Sequence, residues 1–302
     1  MKFIVRGMAG IVVLGLCMLR GPAPAGVVAH GQFYLRAIPS SAVHHVQAPH
    51  LHLRDGTSLN WSGYAVETNL SKPASNAVSY VVGSWIVPGV KASAPTKDTY
   101  SSAWVGIDGY SDNTVEQIGT EQDWTGRAAS YYAWFELYPN YAYEIVGFPV
   151  DQGDTITAQV EYLGSETVVV GDPWGWRGHG REHWRKDSWG RETTEVVQTF
   201  QLTLTNVTKD VTFSIDEQIQ GAELQSAEWV MEAPSENSVL PLSDFGAISF
   251  SGCEATLQGV TGPISAWPDD ELTMETSKAV TKAAPSKLGS TGETFSVTWE
   301  HQ

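Results

Sequence analysis

Residues 101–124 read SSAWVGIDGYSDNTVEQIGTEQDW, and the alternation inside them decides the fold. As a strand, Ala103, Val105 and Ile107 point one way and Trp104, Gly106 and Asp108 the other, because successive side chains of a strand leave opposite faces. One face is apolar and suits a core; the other carries an indole and a carboxylate. Asp108-Gly109 is a turn signal, and beyond the loop 110–113 a second strand carries Gln117 and Gly119.

Two later segments divide in the same way. In YYAWFELYP (131–139), Tyr131, Ala133, Phe135 and Leu137 oppose Tyr132, Trp134, Glu136 and Tyr138. In SAEWVMEAP (226–234), Ala227, Trp229 and Met231 oppose Glu228, Val230 and Glu232. Carboxylates are rarely set on a pleated face without water or a partner. The three strands therefore share an acidic, aromatic-lined groove.

From Leu59 onward the rest of the chain is short strands and turns. NWSGYAVETN, AVSYVVGSWIVPG, DTITAQVEYL, ETVVVGD, EVVQTFQLTLTN, DVTFSIDEQ, GAISFSGCEATLQG and ETFSVTWE alternate or are rich in β-branched residues. No long helical stripe interrupts them. The pattern predicts an all-β fold over 59–302: one antiparallel β-sandwich of two packed sheets, jelly-roll or concanavalin-like.

Residues 1–25 read as a secretory signal: Lys2 and Arg6, an apolar run from Gly7 to Leu19, then Ala23-Pro24-Ala25 as the cleavage site. Their removal takes away Cys17 and three cations but no acid. What remains has 15 Lys and Arg against 34 Asp and Glu, a net charge of −19. That balance speaks against nucleic acid and anionic membranes as partners and suits an acidic habitat. Cys253 is then the one cysteine, so no intramolecular disulfide forms and about 240 residues of core must hold the domain. The expectation is a secreted monomer without stable membrane association after processing.

Residues 26–58 hold His30, His44, His45, His50 and His52, two prolines and no clear period, and read as a short prosegment or flexible arm. Imidazoles charging near pH 6 would change how such an arm sits on an acidic body. Residues 171–191, GDPWGWRGHGREHWRKDSWGR, carry four tryptophans and five cations. They read as an inserted loop, either docked on the body or closing over the groove as a flap. Sequons stand at Asn60, Asn69 and Asn206.

Several chemistries fail by absence. There is no G-x-S-x-G elbow, no Asp-Thr-Gly or Asp-Ser-Gly, and Cys253 sits in FSGCEA without a basic neighbour. HGREH (179–183) spells a zinc motif, but Gly178 and Gly180 break the helix it needs. No metal or cofactor is expected. What remains is a carboxylate able to deprotonate water and later protonate a leaving amine, with the amide of Gln117 as donor to an oxyanion. Position alone does not say which carboxylate acts. A carbohydrate-binding or glycoside-cleaving sandwich would show a similar groove, the latter using two carboxylates and no glutamine.

The ordered set NWSGY, SWIVP, AWVGIDG, the glutamine strand, YYAWFELYP, AEWVMEAP and LPLSDFGAISFSGC resembles the glutamic peptidases, or eqolisins, from about Asn60 to the C-terminus. The resemblance implies a two-sheet β-sandwich and an exported, pepstatin-insensitive acid endopeptidase, made as a zymogen and acting on protein or peptide. It puts the catalytic glutamine at Gln117, in a Q-x-G context soon after the GIDG turn, with Gln122 as runner-up. It puts the catalytic glutamate at Glu232, the second acid of A-E-aromatic-x-x-E, rather than Glu228. Trp104, Asp108, Trp134 and Glu136 fall on groove positions. Ala233-Pro234-Ser235, the missing disulfides and the basic loop depart from the family pattern.

Overall fold

The computed structural model describes residues 27–30, 32–38, 49–54, 56–92, 97–170, 193–235 and 238–301. The leader read over 1–25, His44 and His45, and the basic loop 171–191 with its HGREH motif lie outside the described residues. Among the described residues twenty strands make two sheets, and the only helix is a single 3-10 turn, Ile264–Ala266. No helix among them is long and apolar enough to cross a membrane.

The front sheet begins with β1 (Val27–His30), β2 (Phe33–Ile38), β11 (Ala142–Val146) and β10 (Ala129–Tyr138). It continues through β9 (Val115–Thr125), β8 (Ser102–Ile107), β15 (Ser226–Glu232), β5 (Trp61–Glu67) and the first half of β18 (Asp269–Glu275). Every neighbouring pair is antiparallel, and short β7 (Asp98–Thr99) pairs the end of β9.

The back sheet runs β14 (Val211–Ile219), β13 (Thr193–Asn206), β12 (Thr155–Val170), β6 (Val78–Ile86) and β16 (Ala247–Leu257). β20 (Phe295–Trp299), β19 (Thr281–Pro285) and the second half of β18 complete it. β17 (Val260–Pro263) pairs the end of β16, while β4 (Thr57–Ser58) joins β18 in parallel and carries β3 (His52–Arg54). β18 thus belongs to both layers. Asp269–Leu272 pairs β5 in front, and Met274 and Glu275 pair β19 behind.

The alternation read from sequence sets what lies between the layers. Val105, Ile107, Ile118, Phe135, Trp229 and Met231 of the front sheet meet Val81, Trp85, Ile156, Val160, Phe200 and Phe250 of the back sheet in one buried cluster. Two indoles tie the layers together with their polar ends. Trp229 Nε1 donates to the Val82 carbonyl at 2.7 Å, and Trp85 Nε1 to Thr120 Oγ1 at 3.0 Å. An indole buried between sheets needs such an acceptor, since an unpaired N–H there costs about as much as a lost hydrogen bond.

The described parts of the segment read as a short prosegment or flexible arm pair with strands of the domain. The hairpin β1–β2 adds to the sheet edge at β11, and Phe33 lies in the core against the rings of Phe148 and Phe213. Farther along, β3 and β4 pair with β18, and Ser58 is fully buried. The lack of a clear period reflects strands of two to six residues, too short to show one. Of the three sequons, Asn60 and Asn206 are also fully buried, leaving Asn69 exposed.

Candidate active site

The outward face of the front sheet is also covered, which a sheet facing only solvent would not be. Trp61, Ala65, Trp104, Val115, Trp134, Val230 and Leu272 form a second buried apolar cluster there, with Tyr110, Tyr132 and Tyr138 packed against it. Trp104 and Trp134, the tryptophans placed on groove positions, lie in this cluster together with Trp61. Trp61 and Trp104 meet edge to face, with ring centroids 4.9 Å apart.

Strand register places the polar groups among these rings. On β9, Gln117 lies opposite Gly106 of β8 on one side and Glu136 of β10 on the other. Gln117 Nε2 donates to Glu136 Oε2 at 3.3 Å. Glu232, near the end of β15, lies opposite Ser102 of β8 and Trp61 of β5. Its Oε2 accepts from Trp104 Nε1 at 2.9 Å and its Oε1 from Asn60 Nδ2 at 3.1 Å.

Gln117 and Glu232 thus share one face, with β8 between their strands and Trp104 between their rows. A Cβ on Gly109 would sit 3.2 Å from the ring of Trp61, although Trp61 is two strands away and near the other end of its strand. The line from Glu232 to Gln117 runs in the same oblique sense. Gln122, the runner-up, has the opposite parity and gives its amide to Thr120 O and Oγ1.

The glycine of Q-x-G has a steric reason. Gly119 lies opposite both Trp104 and Trp134. A Cβ there would come within 2.6 Å of Trp104 Cβ, and nearer still to the Ala103 carbonyl oxygen. Backbone on one side leaves no room to yield. Gly119→Ala is expected to cost about 1–3 kcal/mol of stability, as overpacking does, and to lower activity by shifting Trp104. Urea melts beside a peptidase assay check this; a variant with wild-type melting and turnover would refute it.

Asp108 does not join the Gln117–Glu232 line. It follows the last residue of β8 with φ +69, so strand alternation no longer governs it. Its Oδ2 accepts from the backbone N–H of Glu223 and Leu224 at 2.9 and 2.7 Å, and its Oδ1 from that of Gln225 at 2.7 Å. It holds the loop that leads into β15. Gly109 behind it has φ +98, a value costly for any side chain.

Two groups of buried carboxyls flank the tryptophans. Burial pushes Glu121 well above the usual range, helped by the nearby charges of Asp123 and Glu232. At the other end of the sheet, burial raises Glu228 and Glu116 well above that range, and the charges of Asp108 and Asp112 add to it. Glu67 rises to about 7 by burial, against a hydrogen bond from Ser111. Burial raises both Asp108 and Asp112; the charge of Asp112 adds to the rise at Asp108, whereas the hydrogen bond with Asp108 works against it at Asp112, so the pair shares a proton in acid.

Residues 49–52 lie over the cluster. The His50 ring stacks on Tyr110 at 5.1 Å and leans on Trp61 at 5.6 Å, and the backbone N–H of His50 donates to the Gly109 carbonyl. Burial, then the charge of His52, lowers His50 to about 4, so it charges well below the pH 6 expected of an arm histidine. Among the described residues no group of three or more His, Cys, Asp or Glu is placed to hold a metal ion. Cys253 is buried, which raises its thiol far out of the nucleophilic range. Sequence reading missed Asn60, Glu121 and His50 as site residues. Glu121 had a signal, since it shares the parity of Gln117 and Gly119.

A family model described as the Peptidase A4 family matches residues 59–171 and 192–296. The chain belongs to that family. This A4 peptidase is therefore a glutamic peptidase, a hydrolase of peptide bonds with protein or peptide as substrate. Aspergillopepsin-2 of Aspergillus niger is 27% identical to it over 230 residues, spanning 69% of this chain and 68% of that protein. Scytalido-glutamic peptidase, solved with a transition-state-analogue inhibitor, has the same fold, with a TM-score of 0.58 at 20% identity. SCP-B, an eqolisin solved with the tripeptide Ala-Ile-His, gives 0.53 at 19%. Each superposition covers 80% of this chain and 98% of the other.

Proposed function

We propose that this peptidase is an exported acid endopeptidase in which Glu232 and Gln117 act on one water, with no covalent intermediate. Glu232 takes a proton from the water as its oxygen bonds to the scissile carbonyl carbon. The side-chain amide of Gln117 donates to the oxyanion that forms. Glu232 then returns the proton to the departing nitrogen, and the C–N bond breaks. The observation that carries this reading is the shared face: a fixed carboxylate and a fixed amide flank Trp104 on one sheet.

Glu136 orients the Gln117 amide by accepting from it, and Asp108 supports the loop ahead of the strand that carries Glu232. Trp104 and Trp134 face the substrate as an apolar wall. The leader-like start, the net charge of −19 after its removal and the raised carboxyls favour work in an acidic medium outside the cell. The protein is read as a zymogen, active as a monomer.

Purified protein is incubated with denatured casein and with glucans at pH 3 to 4, with and without a chelator and pepstatin. Casein fragments that form under every condition, with no sugar released, are the expected result. Chelator-sensitive cleavage, or sugar release without proteolysis, would overturn the reading.

A further inference from the structure

We propose that Asn60 is a positioning residue for the Glu232 carboxylate, and that its side-chain amide sets both the orientation and the acidity of that base. The inference rests on Glu232 being the base. Both oxygens of Glu232 are held by uncharged N–H donors: Trp104 Nε1 on Oε2 at 2.9 Å and Asn60 Nδ2 on Oε1 at 3.1 Å. A carboxylate gripped at both oxygens cannot turn about its last bond, so its remaining lone pairs keep one direction. Donors of this kind also favour the ionised form over the neutral acid.

The amide has one way to face. Asn60 Oδ1 accepts from Leu51 N–H at 2.9 Å and from Ser58 Oγ at 3.0 Å, two donors that would repel an NH2 group. Nδ2 is thereby turned to Glu232, with the Pro49 carbonyl as a second acceptor at 3.3 Å. Ser58 Oγ accepts in turn from the N–H of Asn60 and Trp61, which fixes the hydroxyl. The main chain repeats the link, since Ala233 N–H donates to the Asn60 carbonyl at 2.8 Å. Asn60, Ser58 and Glu232 are all fully buried. The amide is thus placed by a network that meets Glu232 and the residue after it.

Of the other ionisable groups around the site, Glu121 feels the charge of Glu232 directly and the rest lie farther off. The rest are Asp123 behind Glu121 on β9, Tyr132 on β10, Glu228 farther along β15, and His50 over Trp61. All of them remain in an Asn60 variant, so a change in the acid limb of its pH–rate profile reports the lost amide.

The test compares Asn60→Ala and Ser58→Ala with the full-length enzyme, each checked for fold by circular dichroism. Asn60→Ala is expected to lower kcat by about ten- to a hundredfold, the order of one hydrogen bond to a charged group. KM should stay within about twofold, and the acid limb should move up by about one pH unit as the ionised base loses a donor. Ser58→Ala, which leaves the amide but loosens it, should move kcat and the limb in the same direction by less. A folded Asn60→Ala with wild-type kcat and limb, or with a change in KM alone, overturns the proposal. If Asn60→Ala does not fold, an unchanged profile in Ser58→Ala does so. Glu232→Gln that keeps its activity removes the base and this proposal together. An inactive Glu232→Gln beside a normal Asn60→Ala removes only the latter.

Discussion

Glu232→Gln, folded and assayed on denatured protein at acid pH, is expected to turn over more slowly by on the order of 10⁴-fold, the upper range for a lost acid–base group. The substitution keeps the shape but not the chemistry. An amide takes no proton from water and has none to give to the leaving nitrogen. It also fits its site poorly. Trp104 Nε1 and Asn60 Nδ2 both donate to the present carboxylate, so the new NH2 group would face one donor or the other. Gln117→Ala removes the oxyanion donor and should cost about two to three orders of magnitude.

The double variant is the sharper measurement. Groups that act on the same water are strongly non-additive, so the pair should fall little further than Glu232→Gln alone. Full additivity, or near-normal turnover in either folded single variant, would end the assignment.

The second large effect is in stability against pH. Glu67, Glu116, Glu121, Glu228 and the Asp108–Asp112 pair are all raised, with burial as the leading cause. The folded state therefore binds these protons more tightly than the unfolded chain, whose carboxyls titrate near 4. A raised acid contributes stability that is complete below its unfolded value and is lost as pH rises through its folded value. For Glu67 that upper end is about 7. His50, lowered to about 4 by burial and then by His52, and Lys282, lowered to about 8 by burial, work in the opposite direction, but between pH 4 and pH 8 they are two groups against six.

The thermal midpoint should fall by about 10 °C or more between pH 4 and pH 8, as a loss of a few kcal/mol implies for a domain of this size. Circular dichroism melts across that range measure it, and a flat or rising midpoint would refute it. Glu116→Gln, which stays neutral at every pH, should flatten the fall.

The parity of three strands was legible in the sequence, and with it which residues share the face of the candidate site. Period two assigned Val105, Phe135 and Trp229 to the core and Trp104, Glu136 and Glu232 to the other face. It also separates Gln117 from Gln122, five residues apart and so on opposite faces. The pattern failed where strands stop. Asp108 lies one residue beyond β8 in a left-handed conformation, and its partners are backbone amides 115–117 residues away.

Asn60 escaped for a related reason. It precedes β5, and its meaning comes from Leu51, Ser58 and the end of β15, which no local period brings together. Glu116 ran against the rule altogether. It shares the parity of core-facing Ile118, yet it is a carboxylic acid and fully buried. Burial, and after it the charges of Asp108 and Asp112, raise it and so favour its neutral form.

The strand β18 carries one more consequence. Its front half is stitched to β5 and its rear half to β19, so the layers share a continuous backbone, braced by the Trp85 and Trp229 indoles. Such a body cannot hinge open like a book to admit a polypeptide.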